Sequence, residues 1–282
     1  MASISKTVRP KRSNNSAVSP AGYGLTAGLG TPTAAPSGGT VYFQDGFESG
    51  NLLSPTVALS GWSWGETNID GGYILAPSTI RSYTGSYSLR FQFKPGPYPD
   101  DSWAEQRFWM GGNLTENYVR FQIYIPTNYE HRNTPSSDNN KFWRQWCTTY
   151  SQTELGSSLV ATNDADPLAG SDLILERCDF YHAMGPDGMP TVVGFISPSD
   201  FGTWIDVQMY FKLGADVGGA GARMIVWKNG VSVADTGSFV NDPASWPNRF
   251  TAGYMLGYSN SGFDNLTELY IDNVVFSNFS AY

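Results

Sequence analysis

After residue 40, apolar and polar residues alternate along most of the chain. Val41-Tyr42-Phe43 opens the first such run, and Asp45-Gly46 ends it as a turn. From Tyr87 to Phe93, Leu89, Phe91 and Phe93 alternate with Ser88, Arg90 and Gln92. From Trp103 to Trp109, one face carries Trp103, Glu105, Arg107 and Trp109. Residues 119–125 set Val119, Phe121, Ile123 and Ile125 inward and Arg120, Gln122 and Tyr124 outward. Residues 204–212 set Ile205, Val207, Met209 and Phe211 inward, against Trp204, Asp206, Gln208, Tyr210 and Lys212. Arg223 to Lys228 runs into Asn229-Gly230, and Val231-Ser232-Val233 returns. Tyr254 to Tyr258 and Leu269 to Phe276 complete the series.

A period of two marks half-buried strands, and Asn-Gly between two such runs marks a hairpin. No amphipathic run of helical length competes. The expected fold is therefore all-β: an antiparallel jelly-roll β-sandwich over residues 41–282, behind a flexible or extended arm over residues 1–40. Around residues 141–146 two phases are open, one facing Phe142, Arg144 and Trp146 together, the other Lys141, Trp143 and Gln145. Residues 150–200 read as irregular, the kind of long insertion that often carries function.

Composition supports this picture. Charged residues are 15% of the chain and aromatics also 15%, with 31 Gly and 17 Pro. Soluble domains average about 25% charged residues. Few charges, many rings and many turn formers suit short strands joined by loops, not a helical bundle.

Charge separates the two parts. Residues 1–44 hold Lys6, Arg9, Lys11 and Arg12 and no acid, so the rest has 13 bases against 25 acids, a net −12. Such a body is a poor nucleic-acid binder. The arm is rich in Ser, Thr, Ala, Gly and Pro and cannot bury enough apolar surface to offset its chain entropy. It is either a solvated tail or a contact for nucleic acid or an acidic partner surface. The first residues lack the apolar run of a secretory leader, and nothing resembles a membrane span. The expected location is a virion or an extracellular surface. Cys147 and Cys178, the two cysteines, either pair or stay as buried thiols.

Several segments, in order, resemble the concanavalin A-like lectin/glucanase superfamily, and within it phage and bacterial proteins related to polysaccharide lyases. They are FQDGFESGNL, GSYSLRFQF, SWAEQRFWM, YVRFQIYIP, NNKFWRQW, TWIDVQMYFKL, MIVWKNGVSV and LYIDNVVFS. A lyase of that fold needs a base for the proton beside a uronate carboxyl, and cations or amides to neutralise that carboxyl. The resemblance implies Arg-x-Glu, Gln-x-His and Tyr-x-Lys-x-Gly-x-Tyr strands. Here they correspond to Glu105-Gln106-Arg107 in reversed order, to Trp143-Arg144-Gln145-Trp146 without the His, and to Tyr254-Met255-Leu256-Gly257-Tyr258 without the Lys. The Glu-x-Asp-x-x-Glu strand of the related hydrolases is missing.

The catalytic pattern thus reads as eroded, and a non-catalytic protein is expected. Sugar binding needs rings that stack and planar polar groups that hold hydroxyls. The candidates are Trp103, Glu105, Arg107, Tyr124, Lys141, Trp204, Trp227 and Tyr254. Trp109, Trp143, Tyr210, Gln122 and Gln145 are expected on the same polar faces. Asp45 and Glu48 after the first strand, with Asp272 and Asn273 in the last, are candidates for a structural Ca²⁺. Body and arm together point to a structural virion protein, a capsid decoration or tail component. Its expected partners are capsid or other virion subunits through the arm, copies of itself in an oligomer, and surface glycans. The alternatives are a polysaccharide lyase and a secreted carbohydrate-binding module.

Overall fold

The computed structural model describes residues 37–70, 73–97, 100–129, 139–146, 158–165, 173–181, 192–196, 198–214, 220–240, 249–259 and 262–281. By its contacts the chain divides into Met1–Thr33 and Ala34–Tyr282, and every described residue belongs to the second unit.

The described residues form strands β1 (Val41–Asp45), β2 (Val57–Ala58), β3 (Ser63–Ile69), β4 (Leu75–Ser78), β5 (Ser88–Phe93) and β6 (Ser102–Leu114). They continue with β7 (Glu116–Tyr124), β8 (Asn139–Trp146), β9 (Ser158–Ala165), β10 (Leu173–Tyr181), β11 (Val192–Ile196) and β12 (Trp204–Lys212). The last are β13 (Ala220–Lys228), β14 (Val231–Asp235), β15 (Phe239–Val240), β16 (Phe250–Ser259) and β17 (Thr267–Ser277). Residues 158–165, 173–181 and 192–196, read from sequence as irregular, are strands. Their composition lacks the clean alternation seen elsewhere.

Two antiparallel sheets result. The first runs β14-β13-β12-β7-β17-β1-β2, with β5 and β4 also joined through β17 and β15 joined to β13. The second runs β11-β10-β9-β8-β16-β6-β3. Strands far apart in sequence are neighbours: β1 lies on β17, and β6 lies on β16.

The alternation read from sequence sets the core. Val119, Phe121 and Ile123 of β7 and Ile205, Val207, Met209 and Phe211 of β12 are buried from the first sheet. Ala104, Phe108, Trp143 and Met255 meet them from the second. Trp143 is the hub, with its ring 4.9 Å from Phe108, 5.7 Å from Phe121 and 5.7 Å from Phe276.

This settles the phase of β8 and corrects one expectation. Trp143 and Gln145 do not lie on a polar face; both are fully buried. The cause is a register shift between Lys141 and Trp143 against β9, which turns Arg144 to the outer face. Asn229-Gly230 makes the expected tight turn, with φ of 49° and 80°.

Candidate functional site

The outer face of the second sheet gathers the chemistry. On β6, Trp103, Glu105, Arg107 and Trp109 share that face, as the alternation predicts. Pairing places Tyr254 of β16 directly between Arg107 of β6 and Arg144 of β8. These are the three strands that carry the lyase-like segments. The floor is buried: Glu105 has no exposure and Tyr254 has 2%. Around it Trp103, Arg107, Trp109 and Arg144 are half-buried.

Hydrogen bonds fix the floor. Arg107 Nε donates to Glu105 Oε1 at 2.6 Å, and Asn68 Nδ2 of β3 donates to the same oxygen at 3.1 Å. Trp103 Nε1 reaches Glu105 Oε2 at 3.3 Å. One buried carboxylate therefore orients a guanidinium, an amide and an indole. Such a charge is tolerable in the interior only because it is paired and bonded. Outside, Arg107 Nη1 donates to Glu66 Oε2 at 2.9 Å.

Two bulges shape this face. Trp64 pairs with Phe108 and Thr67 with Gln106, so Gly65 and Glu66 stand together opposite the single Arg107. A bulge of this kind re-aims a side chain. A Cβ on Gly65 would lie 2.9 Å from Trp109 Nε1 and 3.0 Å from Arg107 Cβ, so only glycine fits there. In β16 the pairing with β8 shifts between Met255 and Ser259, where Leu256 and Gly257 have φ of 54° and 121°. The Tyr254 ring lies over Gly257, where a Cβ would come within 2.8 Å of Cε2.

The sugar-binding candidates divide between two faces. Trp103, Glu105, Arg107 and Tyr254 come together on the second sheet. Tyr124, Trp204 and Trp227 sit instead on the outer face of the first sheet, because β7, β12 and β13 belong to it. Lys141 is placed on β8, but its side chain, like that of Tyr258, lies outside the described residues, as do His131, Cys147 and His182. Cys178 is placed on β10, with its side chain likewise outside them. Sequence reasoning missed Glu66, Asn68 and the role of Arg144. An isolated glycine inside a strand is the signal that was there to use, since it marks a bulge or a close approach.

On the first sheet's outer face, polar groups bond to one another. Arg120 pairs with Asp206 through both oxygens, and Gln122 Nε2 adds a bond of 2.6 Å to Asp206. The guanidinium of Arg81 stacks 3.8 Å from the Tyr124 ring centre, and Tyr83 and Tyr124 each meet Trp204 edge-on. Near the C-terminus, Ser280 Oγ accepts from Gln208 Nε2 and the Ala281 N–H donates to Gln208 Oε1.

The four candidate metal residues lie around the β1–β17 pair. Asp45 binds the Phe47 N–H at 2.7 Å and Trp64 Nε1 at 2.6 Å. Asp272 accepts the N–H groups of Tyr83, Thr84 and Asn273, and Glu48 accepts those of Ser86 and Tyr87. Asn273 Oδ1 accepts from Thr84 Oγ1 at 3.0 Å. Burial raises the Asp272 carboxyl, three N–H donors lower it and Glu48 raises it, and together they leave it at about 6. Among the described residues no group of three or more His, Cys, Asp or Glu side chains is arranged as a metal site. Even so, the oxygens of Asp45, Glu48, Asp272 and Asn273 suit a hard cation in kind.

No known family profile matches the sequence, and no curated protein matches it. Solved structures do resemble it. An endo-β-1,4-glucuronan lyase from the fungus Trichoderma reesei superposes with a TM-score of 0.54 at 12% identity, covering 85% of this chain and 96% of that one. The chain is a jelly-roll β-sandwich. The alginate lyase vAL-1 from a Chlorella virus gives a TM-score of 0.49 at 10% identity, over 78% of this chain and 93% of that one. The carbohydrate recognition domain of Emp47p gives 0.41 at 10% identity, over 89% and 100%. What this jelly roll shares with the glucuronan lyase is its fold.

Proposed function

We propose that this chain binds an acidic, uronate-bearing polysaccharide on the outer face of the second sheet. One observation carries the reading: Tyr254 lies between two arginines, Arg107 and Arg144, on adjacent strands, beside the half-buried rings of Trp103 and Trp109. Guanidinium groups match carboxylates in charge and shape, and indole faces stack on sugar rings. The glucuronan lyase named above shares the fold, which supports the reading.

Titration with polyglucuronate tests it. The parent binds, and Arg144→Ala weakens binding tenfold or more, as about 1.5–3 kcal/mol for a charged hydrogen bond implies. Unchanged binding by Arg144→Ala would sink this placement of the site.

A second reading is favoured by the same Tyr254. A uronate lyase removes the proton at C5 of the sugar and breaks the bond from C4 to the glycosidic oxygen, leaving a C4=C5 double bond. It needs a base beside the neutralised carboxyl, and the position of Tyr254 between Arg107 and Arg144 supports that role for it. The unsaturated product absorbs in the ultraviolet. Product formed by the parent and abolished by Tyr254→Phe supports this reading, and absence of product on polyglucuronate and alginate removes it.

Two expectations continue as proposals. Asp45, Glu48, Asp272 and Asn273 hold a structural Ca²⁺, tested by a rise in melting temperature with Ca²⁺ that a chelator reverses. A virion role rests on the basic arm, of which residues 1–36 lie outside the described residues. Deleting residues 1–40 and measuring particle association tests it.

A further inference from the structure

Arg107 is held by two carboxylates of opposite character. Its Nε meets Glu105, which has no exposure and is locked by Asn68 and Trp103. Its Nη1 meets Glu66, whose side chain is 72% exposed. Among the described residues the Glu66 carboxylate has no other hydrogen-bond partner. The inner bond cannot be given up without stranding a buried charge, which is costly. The outer bond is an exposed ion pair, which is weak and is screened by salt.

Glu66 reaches Arg107 because of the bulge. Gly65 and Glu66 together oppose Arg107, and Gly65 leaves room for Trp109 and for the stem of Arg107. Without the extra residue, strict alternation would aim residue 66 inward, on the same side as Trp64.

We propose that Glu66 is a place-holder: its carboxylate occupies the seat on Arg107 Nη1 that a carboxylate of the bound polysaccharide takes. This deepens the acidic-glycan reading above and rests on it. A uronate displacing Glu66 exchanges one carboxylate for another, so Arg107 keeps its pairing throughout. A neutral sugar offers nothing for that exchange. Glu66 therefore sets the threshold an anionic chain must exceed, and it makes the site selective for carboxylates that can compete.

The test compares the parent with Glu66→Gln and Glu66→Ala, titrated with polyglucuronate and with its carboxyl-reduced, neutral counterpart at low and high salt. The place-holder predicts that both variants bind polyglucuronate about two- to fivefold more tightly at low salt, the range an exposed ion pair provides. The gain shrinks at high salt, and binding of the neutral polymer does not change. Equal or weaker binding of polyglucuronate by the variants overturns it; weaker binding would make Glu66 a positioning residue for Arg107. If the parent binds polyglucuronate and the variants match it, only the place-holder fails. If neither parent nor variants bind any polyuronate, the acidic-glycan reading fails with it. Thermal melting shows that the variants remain folded, since Glu66 is exposed and outside the core.

Discussion

The two outer faces of the sandwich carry similar residues and use them differently. Each has an acid paired with an arginine: Asp206 with Arg120 on the first sheet, Glu105 with Arg107 on the second. On the first sheet the pair lies among bonded side chains, with the Arg120 side chain 19% exposed. Tyr83 and Arg81 lie over neighbouring rings, the C-terminal residues bond to Gln208, and Asp206, Gln122 and Gln208 are all buried. On the second sheet the paired arginine is also bonded to an exposed acid; tryptophans are half-buried on both faces. Arg107 thus holds one buried and one exposed carboxylate, Glu105 and Glu66, and the exposed contact is the weaker.

The largest effect expected from this contrast is on stability. Asp206→Ala leaves Arg120 without its bidentate partner and Gln122 without its acceptor, at a cost of about 3–5 kcal/mol. Urea unfolding measures it. Polyuronate affinity should be untouched, and a parallel loss of affinity would erase the distinction between the faces.

Next is Gly65→Ala. A Cβ there meets Trp109 and Arg107, and overpacking costs about 1–3 kcal/mol. Here affinity should fall along with stability, because the collision displaces binding groups. Retained affinity would show that the bulge is not part of the site.

A smaller effect concerns pH. Burial raises the carboxyls of Asp45 and Asp272, the latter to about 6 against an ordinary value of 3.8. The folded state then holds protons that the unfolded chain has released. With Ca²⁺ chelated, stability should therefore fall as pH rises from about 4 to 6. Glu268 works in the opposite sense at lower pH. Burial raises it, but bonds from Arg90, Tyr270 and Gln92 outweigh that and hold it below 4.5, so its contribution is lost on acidification. Melting temperature followed from pH 3 to 7 separates the two. Asp272→Asn should flatten the upper limb, and an unchanged slope would contradict the assignment.

The finest comparison is between two tryptophans. Trp103→Ala should weaken polyuronate binding, whereas Trp204→Ala should leave it within about twofold, since Trp204 packs on Tyr83 and Tyr124. The reverse result would move the site to the first sheet.

Much of the fold was legible in the sequence because β7 and β12 keep strict alternation, and every inward residue named from them is buried in the core. The face of β6 was legible for the same reason. What alternation could not give was the sheet to which each strand belongs. Trp103 and Trp204 look alike in sequence and lie on opposite sheets, because sheet membership depends on pairings such as β6 with β16 and β7 with β17. The phase of β8 was also hidden. A single register shift beside Lys141 reverses it, moving Trp143 into the core and Arg144 outward. Gly65 and Gly257 were visible all along, but their meaning rests on the rings of Trp109 and Tyr254 that they admit.

The central claim is that Tyr254 and its two flanking arginines form a seat for a carboxylated glycan. Its most direct test is calorimetric titration of the parent with polyglucuronate and with the carboxyl-reduced polymer, each across a range of salt. The account predicts binding of polyglucuronate that weakens steadily with salt, and weak or no binding of the neutral polymer. Equal binding of both polymers, or binding indifferent to salt, would contradict it.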